Sequence, residues 1–522
     1  MSRRPSHTTN HTFSEVPAVQ IPRSSFNRSH TIKTTFDSGD LIPILVDEAL
    51  PGDTFKVKLT AFSRMATPIY PVMDNLFMDV FFFSVPNRLL WDNWEKFCGE
   101  QIDPGDSIDY TIPVGPTSGS AVSEGGIYDY MGIPTNVTNV RDKFSMLPFR
   151  AYNRVYNEWF RDQNLQDSVT LNLDDGPDSI TDYEIKKRGK RHDYFTSALP
   201  WPQKGDSVDL PLGQYAPVIT NNEIPRTKGA NGLTQGAMVK DASGNLTMTP
   251  LTTNPGWSYW ETTGMQADLS DATAATINQL RQAFQVQKLL ERDARGGTRY
   301  VEIIKAHFGV TTPSAGWRSE YLGGGTRMVN ISPIAQTSSS DSTSPQGNLA
   351  AMGTATLDGI GFTKSFTEHS TIIGLVNVRA DLTYQQGLNR MWSRQTRYDF
   401  YWPALANIGE QAVLNKEIYF QGTSADEEVF GYQERYAEYR YKPSIITGAF
   451  RSNAAAPLDS WHLAQDFSSL PALNGAFIED NPPVSRVVAV PSEPEFLFDG
   501  YFDMNCVRPM PLYGVPGMVD HF

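Results

Sequence analysis

The sequence predicts one all-β domain, antiparallel layers interrupted by long excursions, and three observations carry that prediction. Leu76 to Val85, LFMDVFFFSV, is an almost unbroken apolar and aromatic run of strand length, so both of its faces need cover. Thr54 to Ala61 alternates, with Phe55, Val57, Leu59 and Ala61 expected inward and Lys56, Lys58 and Thr60 outward, as in a half-buried strand. After a polar break at Ser338 to Ser344, strand-like text returns over Thr371 to Tyr384, Thr396 to Trp402, Val429 to Tyr441, Val484 to Val490 and Phe496 to Tyr501. Strand segments near both ends of the chain must meet to close the sheet. That requires one unit of high contact order rather than a row of separate domains.

Residues 1 to 36 hold Arg3, Arg4, Arg23, Arg28 and Lys33 against Glu15 alone, a net charge of +4 in a chain whose total is -14, which leaves -18 for the remainder. Ser, Thr, Asn, His and Pro give this stretch little to bury, so it reads as a flexible basic arm that a polyanion or a neighbouring subunit would order, or else as a solvated tail. Residues 37 to 522 form the body. Leu41 to Val46 is a short strand and PGD at Pro51 to Asp53 a turn. After the apolar run, Pro86 ends the ladder, Asn87 is a candidate cap, and Leu90, Trp94 and Phe97 recur at helical spacing. Gln101 to Thr138 is loop, in which Asp103, Asp106 and Asp109 lack the residues that close a calcium cage.

Leu147 to Leu165 returns to helical rhythm, with Phe149, Tyr152, Tyr156 and Trp159 or Phe160 along one face. The run KKRGKR, Lys186 to Arg191, is the densest basic stretch. It suits phosphate binding with Tyr194 and Phe195 beside it for base stacking, and equally a solvated loop or the basic half of a subunit contact. Residues 203 to 270 lose nearly all periodicity and read as a projecting insertion without a core of its own, followed by a helix capped at Ser270 or Asp271 and stopped at Gly296 and Gly297.

The totals exclude whole classes of function. Mean hydropathy is -0.37, and no apolar run approaches the roughly 18 residues that a membrane span needs. The N-terminal text carries no apolar stretch after its arginines, so no secretory leader is expected, and folding in a cytoplasm is. The two cysteines, Cys98 and Cys506, are expected to be reduced and buried. No nucleotide-binding glycine loop, nucleophile elbow or zinc-protease motif is present, and the eight histidines are scattered. No catalytic, cofactor-binding or metal-binding residue is assigned. Asp426, Glu427, Glu428, Glu434 and Glu438 contain the carboxylates a glycosidase would need, but Glu434, Arg435, Glu438 and Arg440 alternate in sign and fit pairing across strands or subunits better. An enzyme of the β-sandwich carbohydrate-hydrolase type and a glycan-binding adhesin are the alternatives to a structural role.

Several segments resemble one family closely: DNLFMDVFFFSVPNRLLWDNWEKFCGE from Asp74, LPFRAYNRVYNEWFRDQNLQ from Leu147, RGKRHDYFTSALPWPQKG from Arg188, LLERDARGGTRYVEIIKAHFGV from Leu289, YLGG at Tyr321 to Gly324, and GYQERYAEYRYKPSIITGAFRS from Gly431. They are similar to the major capsid proteins of gokushoviruses, a branch of the Microviridae, which are small icosahedral single-stranded DNA bacteriophages. The resemblance implies a single eight-stranded viral jelly roll with large loop and helical insertions, about sixty copies of which close a T=1 shell built from pentamers. It further implies a virion location after assembly in the host bacterial cytoplasm, and genomic single-stranded DNA as cargo. Implied partners are a small basic DNA-binding virion protein, a pilot or minor virion protein, and a host surface receptor such as a glycan, met by an insertion that agrees with 203 to 270. DNA-contact candidates are then Arg3, Arg4, Arg23, Arg28, Lys33, Lys187, Arg188, Lys190 and Arg191. Subunit-interface candidates are Trp91, Trp94, Glu434, Arg435, Glu438 and Arg440.

Overall fold

Eight long strands divide between two facing sheets. The computed structural model describes residues 22–208 except 118 and 120, the segments 218–219, 226–229, 234–240, 242–243, 246–248, 258–260 and 266–267, and residues 277–311, 316–341 and 345–514. In chain order the strands are β1 (His30–Phe36), β2 (Ile42–Ala49), β3 (Thr54–Met65), β4 (Leu76–Pro86), β5 (Glu320–Ala335), β6 (Leu349–Ser365), β7 (Ser370–Ala380) and β8 (Phe496–Arg508). One sheet runs β1-β8-β3-β6 and the other β2-β7-β4-β5, every pair antiparallel. Residues 330–335 of β5 pair with 349–354 of β6, so the two sheets are halves of one curled surface. This strand order is that of a jelly roll.

The alternating pattern of β3 does what its spacing predicts: Phe55, Val57, Leu59, Ala61, Ser63 and Met65 are buried and their neighbours are not. The β4 run is covered twice. Leu76, Met78, Val80 and Phe82 enter the space between the sheets, where Phe82 meets Phe362 and Phe502 at 5.4 and 6.4 Å. On the opposite face Phe83 and Val85 pack under the helix Leu147–Val155, which buries Leu147, Phe149, Ala151, Tyr152 and Val155 against them. That helix also buries a cation. Arg150, 1% exposed, pairs with Asp178 at 2.5 Å and donates to the Leu90 and Asp174 carbonyls, so its charge is fully satisfied. The helix continues as one wider turn over Tyr156–Phe160, which leaves Trp159 half-exposed while Tyr156 stays buried.

Two long excursions leave the barrel, residues 87–319 between β4 and β5 and residues 381–495 between β7 and β8. They share a third apolar cluster that includes Tyr194, Phe195, Tyr384, Val413, Phe430 and Phe477. Several sequence expectations fail within them. Residues 396–402 and 484–490 hold 3-10 turns, not strands, and the strand expected over 429–441 stops at Glu434, two residues before Tyr436 takes a φ of 62°. β-Branched and aromatic residues favour a strand only where a neighbouring strand is there to pair with, and among the described residues that strand is 410–414, paired to 429–434. Asn87 is no cap; its side chain accepts from Thr371, and the helix expected there shrinks to a 3-10 turn at Asn87–Leu89 and one turn at Trp94–Phe97. Cys506 is buried, but Cys98 is exposed.

Residues 24–36, expected within the flexible arm, hold two strands: Ser24–Asn27 and β1 both pair with β8. Ile32 and Phe36 give them apolar anchors on an alternating pattern that the arm's polar composition masked. Residues 203–297 form a unit of their own. It contains a four-stranded sheet of 258–260, 226–229, 234–240 and 246–248 and a two-stranded pair of 218–219 with 266–267, where the sequence had offered loop, and the helix Ile277–Gly296, which ends at the glycines where the sequence placed its stop. The helix cap expected at Ser270 or Asp271 lies outside the described residues. Among the described residues no helix is long and apolar enough to cross a membrane.

Candidate assembly and nucleic-acid surfaces

The basic run at 186–191 crosses the outer face of the second sheet, where β4 and β7 present Asp79 and Arg379. An aspartate in the middle of an apolar strand needs a cation, and Asp79 has two: Arg188 forms a close ion pair with it and Arg379 lies 3.0 Å away, while Thr326 donates a 2.5 Å hydrogen bond. Arg188 also lies over the Phe81 ring at 4.6 Å. Lys187 pairs with Asp40 at 3.0 Å, Lys190 donates to the Phe477 carbonyl at 2.7 Å, and Arg191 pairs with Asp381 at 2.5 Å over the Phe77 ring. Backbone bonds fasten the run on both sides: Arg188 donates to the Gly39 carbonyl, Asp480 to that of Arg188, and Lys190 to that of Ile478. Gly39 has φ 84°, and a Cβ there would fall 2.1 Å from the Asp480 carbonyl oxygen, so the turn admits only glycine. All four cations put forward for DNA contact in this run thus have partners inside the chain. The run is a strap that ties the excursions to the sheet.

Asp480 sits behind the strap, 1% exposed, with Oδ2 lacking any hydrogen-bond partner. Burial pushes its carboxyl up to about 7 against the opposing pull of Arg379, Lys190, Arg188 and Lys187. Burial likewise lowers Arg188 to about 10, with Arg379 adding to the effect. A carboxyl whose folded pKa lies above its unfolded value of 3.8 keeps a proton that the unfolded chain releases. Its stabilising contribution is therefore complete below about pH 4 and is lost as the pH rises through about 7. Relative to Asp480→Asn, the wild-type subunit is expected to lose up to about 2 to 3 kcal/mol between pH 5 and pH 8. Denaturation midpoints of both proteins at the two pH values measure this, and parallel midpoints would refute it.

The remaining basic candidates lie at the root of the arm. Arg28 grips Asp47 through two bonds of 2.6 and 2.9 Å, and Lys33 pairs with Asp499 at 2.7 Å on the surface. Arg23 is exposed and donates to the Gly52 carbonyl at 2.6 Å. Arg3 and Arg4 lie outside the described residues.

Of the interface candidates, Trp91 is corrected: it is 0% exposed, buried in the cluster under the helix Leu147–Val155, with its indole N–H donating to Asp175 at 2.7 Å. It packs within the subunit, so no neighbour can reach it. Trp94 is half-buried beside Trp91 and His369. Glu434 pairs with Arg440, Glu438 with Arg394 at 3.4 Å, and Arg435 lies over the Tyr436 ring at 4.9 Å. Their alternating signs are answered within one segment and its neighbours, since the strand that would have paired them across its length ends at Glu434.

Two of the other acids offered for hydrolysis are similarly tied. Asp426 accepts from the backbone N–H groups of Gln421, Gly422 and Thr423 at 3.0, 2.6 and 3.0 Å and so holds a loop, while Glu427 pairs with Lys416 at 2.7 Å. Sequence reasoning missed Arg379, Asp381 and Asp480, the partners of the strap. The available signal was Asp79 itself, a charge inside a run that must be covered on both faces.

The barrel, its two excursions and the strap span nearly the whole chain, and so do the similarities to known proteins. Residues 14–518 match the family described as capsid protein (F protein). The capsid protein VP1 of Bdellovibrio phage phiMH2K is 51% identical, with 98% of each chain covered. Those of Chlamydia phage 1 and Spiroplasma virus 4 are 43% and 39% identical, with 97% of each chain covered. A match of that length over a jelly roll makes the assignment: the chain belongs to the capsid protein (F protein) family, and is a capsid protein and not an enzyme.

Proposed function

We propose that about sixty copies of this chain close a T=1 icosahedral shell around a circular single-stranded DNA genome, and that the unit 203–297 meets the host surface. The observation that carries the reading is the family match running unbroken from one end of the jelly roll to the other. Assembly takes place in the host bacterial cytoplasm. The acidic body then faces its cargo through the basic arm and through a small basic DNA-binding virion protein; a pilot or minor virion protein and a host receptor complete the partners. Sixty copies of a 58.2 kDa chain make a particle of roughly 3.5 MDa. Size-exclusion chromatography and negative-stain microscopy of the expressed chain should find closed particles of that mass, whereas a stable monomer or trimer would end the proposal.

Within this reading the arm ahead of Ser24 touches DNA. Arg23, Arg28, Lys33 and the strap cations already have acidic or carbonyl partners, so Arg3 and Arg4 are the candidates that remain. Particles built from a chain lacking residues 2–21 are expected to hold less genome and to lose it at lower salt, because each lost phosphate contact shallows the salt dependence of binding. Equal genome content and equal salt resistance in the deleted particles would refute this role.

A further inference from the structure

The second excursion carries a surface that the subunit's own packing does not explain. Trp392, Tyr398, Phe400, Tyr401, Trp402 and Tyr439 are 70, 66, 50, 50, 40 and 49% exposed. At roughly 200 Å² per aromatic side chain they leave about 650 Å² of ring surface in solvent, close to the roughly 800 Å² that each partner gives to a stable interface. Isolated exposed rings are ordinary; six of them on one segment and its neighbour are not. Residues 390–408 contain three arginines and one aspartate but no lysine and no glutamate, the composition of an interface centre and not of a solvated loop.

The rings are also held in place. Tyr436 donates its hydroxyl to the Phe400 carbonyl at 3.1 Å, the Tyr401 N–H donates to the Tyr439 hydroxyl at 3.3 Å, and the Trp402 indole donates to the Arg397 carbonyl at 3.0 Å. Asp399 accepts from the Thr396 N–H at 2.7 Å and Asn389 from that of Met391 at 3.0 Å, so the irregular backbone is fixed by its own turns. Arg394 lies over Tyr439 at 4.2 Å and over Phe400 at 5.7 Å, anchored by Glu438, and Arg397 lies over Trp402 at 4.6 Å. A rigid aromatic surface loses little entropy on docking, which is what a repeated contact needs.

We infer that this aromatic platform, formed by residues 390–408 together with Tyr439, is a contact between neighbouring copies of the chain. The inference rests on the shell reading and deepens it by naming one of its contacts. Two other occupants are disfavoured by the same geometry. Unpaired bases and sugar rings both stack on open aromatic faces, and here guanidinium groups already cover faces of Phe400, Trp402 and Tyr439. What remains outward suits close packing against protein, with tryptophan, tyrosine and arginine as its anchors.

Trp392 and Tyr398 test the inference because they are the most exposed and least engaged of the six. A full-length W392S/Y398S chain is expected to keep the wild-type thermal unfolding profile as a subunit while the protein concentration needed for particles rises tenfold or more. Wild-type assembly in that variant would overturn the inference. Hydroxyl-radical footprinting of the unmutated chain gives a second measurement that does not depend on the variant folding. Trp392 and Tyr398 should be oxidised several-fold more slowly in intact particles of this chain alone than in dissociated subunits. Equal oxidation in both states, or protection that appears only when another virion protein or DNA is added, would overturn the second-copy assignment while leaving the shell intact. A wild-type chain that formed no particles would instead remove the shell reading and this inference with it.

Discussion

Replacing Asp79 by alanine is expected to leave most of the expressed chain unfolded or insoluble at 37 °C. Asp79 lies at the middle of β4 with its side chain 4% exposed, and its carboxylate answers two guanidinium groups, those of Arg188 and Arg379, each 16% exposed. Removing one partner of a buried ion pair typically costs about 3 to 5 kcal/mol, because the charge left behind keeps its desolvation penalty and loses its compensation. Here two cations are stranded together. Domains are commonly stable by about 5 to 15 kcal/mol, so a loss of this size removes a large part of the total. The strap also sets the Gly39 turn and the backbone bonds to Asp480 and Ile478, so the first and second excursions loosen from the sheet together. Chemical denaturation of the unassembled subunit measures the loss. Adding Arg188→Met and Arg379→Met to Asp79→Ala should recover much of it by removing the stranded charges. A midpoint unchanged in Asp79→Ala would show that the pairs contribute nothing to the fold.

The barrel was legible because its two most telling strands follow simple periodicities. β3 alternates, and β4 is apolar on both faces because the second sheet lies between the barrel interior and the helix Leu147–Val155. Which strands lie side by side was not legible: β1 and β8 are separated by some 460 residues, and nothing in either states the register that joins Phe36 to Phe496. The glycines of β5 carried a resemblance but no reason until β4 was beside them, where a Cβ on Gly324 would sit 2.2 Å from the Val80 carbonyl oxygen. The strap misled for a related cause. A dense basic run announces charge, and whether that charge faces a phosphate or a buried aspartate depends on Asp40, Asp79, Asp381 and Asp480, four residues scattered over the whole chain. The exposed platform at 390–408 was hidden by the same ambiguity, since Thr396 to Trp402 within it read as another strand.

Exchanging residues 203–297 for the corresponding segment of a related phage is expected to move host range while changing particle yield only a few-fold. The boundaries matter to the result. The sequence suggested 203–270, but the unit runs to Gly297, and its two ends are bonded to each other: the Lys204 N–H donates to the Leu290 carbonyl at 3.4 Å, and Gln287 donates to Gln203. A cut at 270 would part the helix Ile277–Gly296 from the strands that precede it and return a damaged insert, so a failure there would say nothing about attachment. A cut at both ends of the unit removes it whole. None of the three apolar clusters draws a described residue from 203–297, so the barrel and the excursions keep their cores in the exchange. Shell-forming contacts can then stay constant while the exchanged surface varies, which is the separation that an attachment device requires. Infectivity on the original host should fall by orders of magnitude and appear on the donor's host. Full infectivity on the original host, from particles shown to carry the exchanged segment, would assign attachment to another part of the virion.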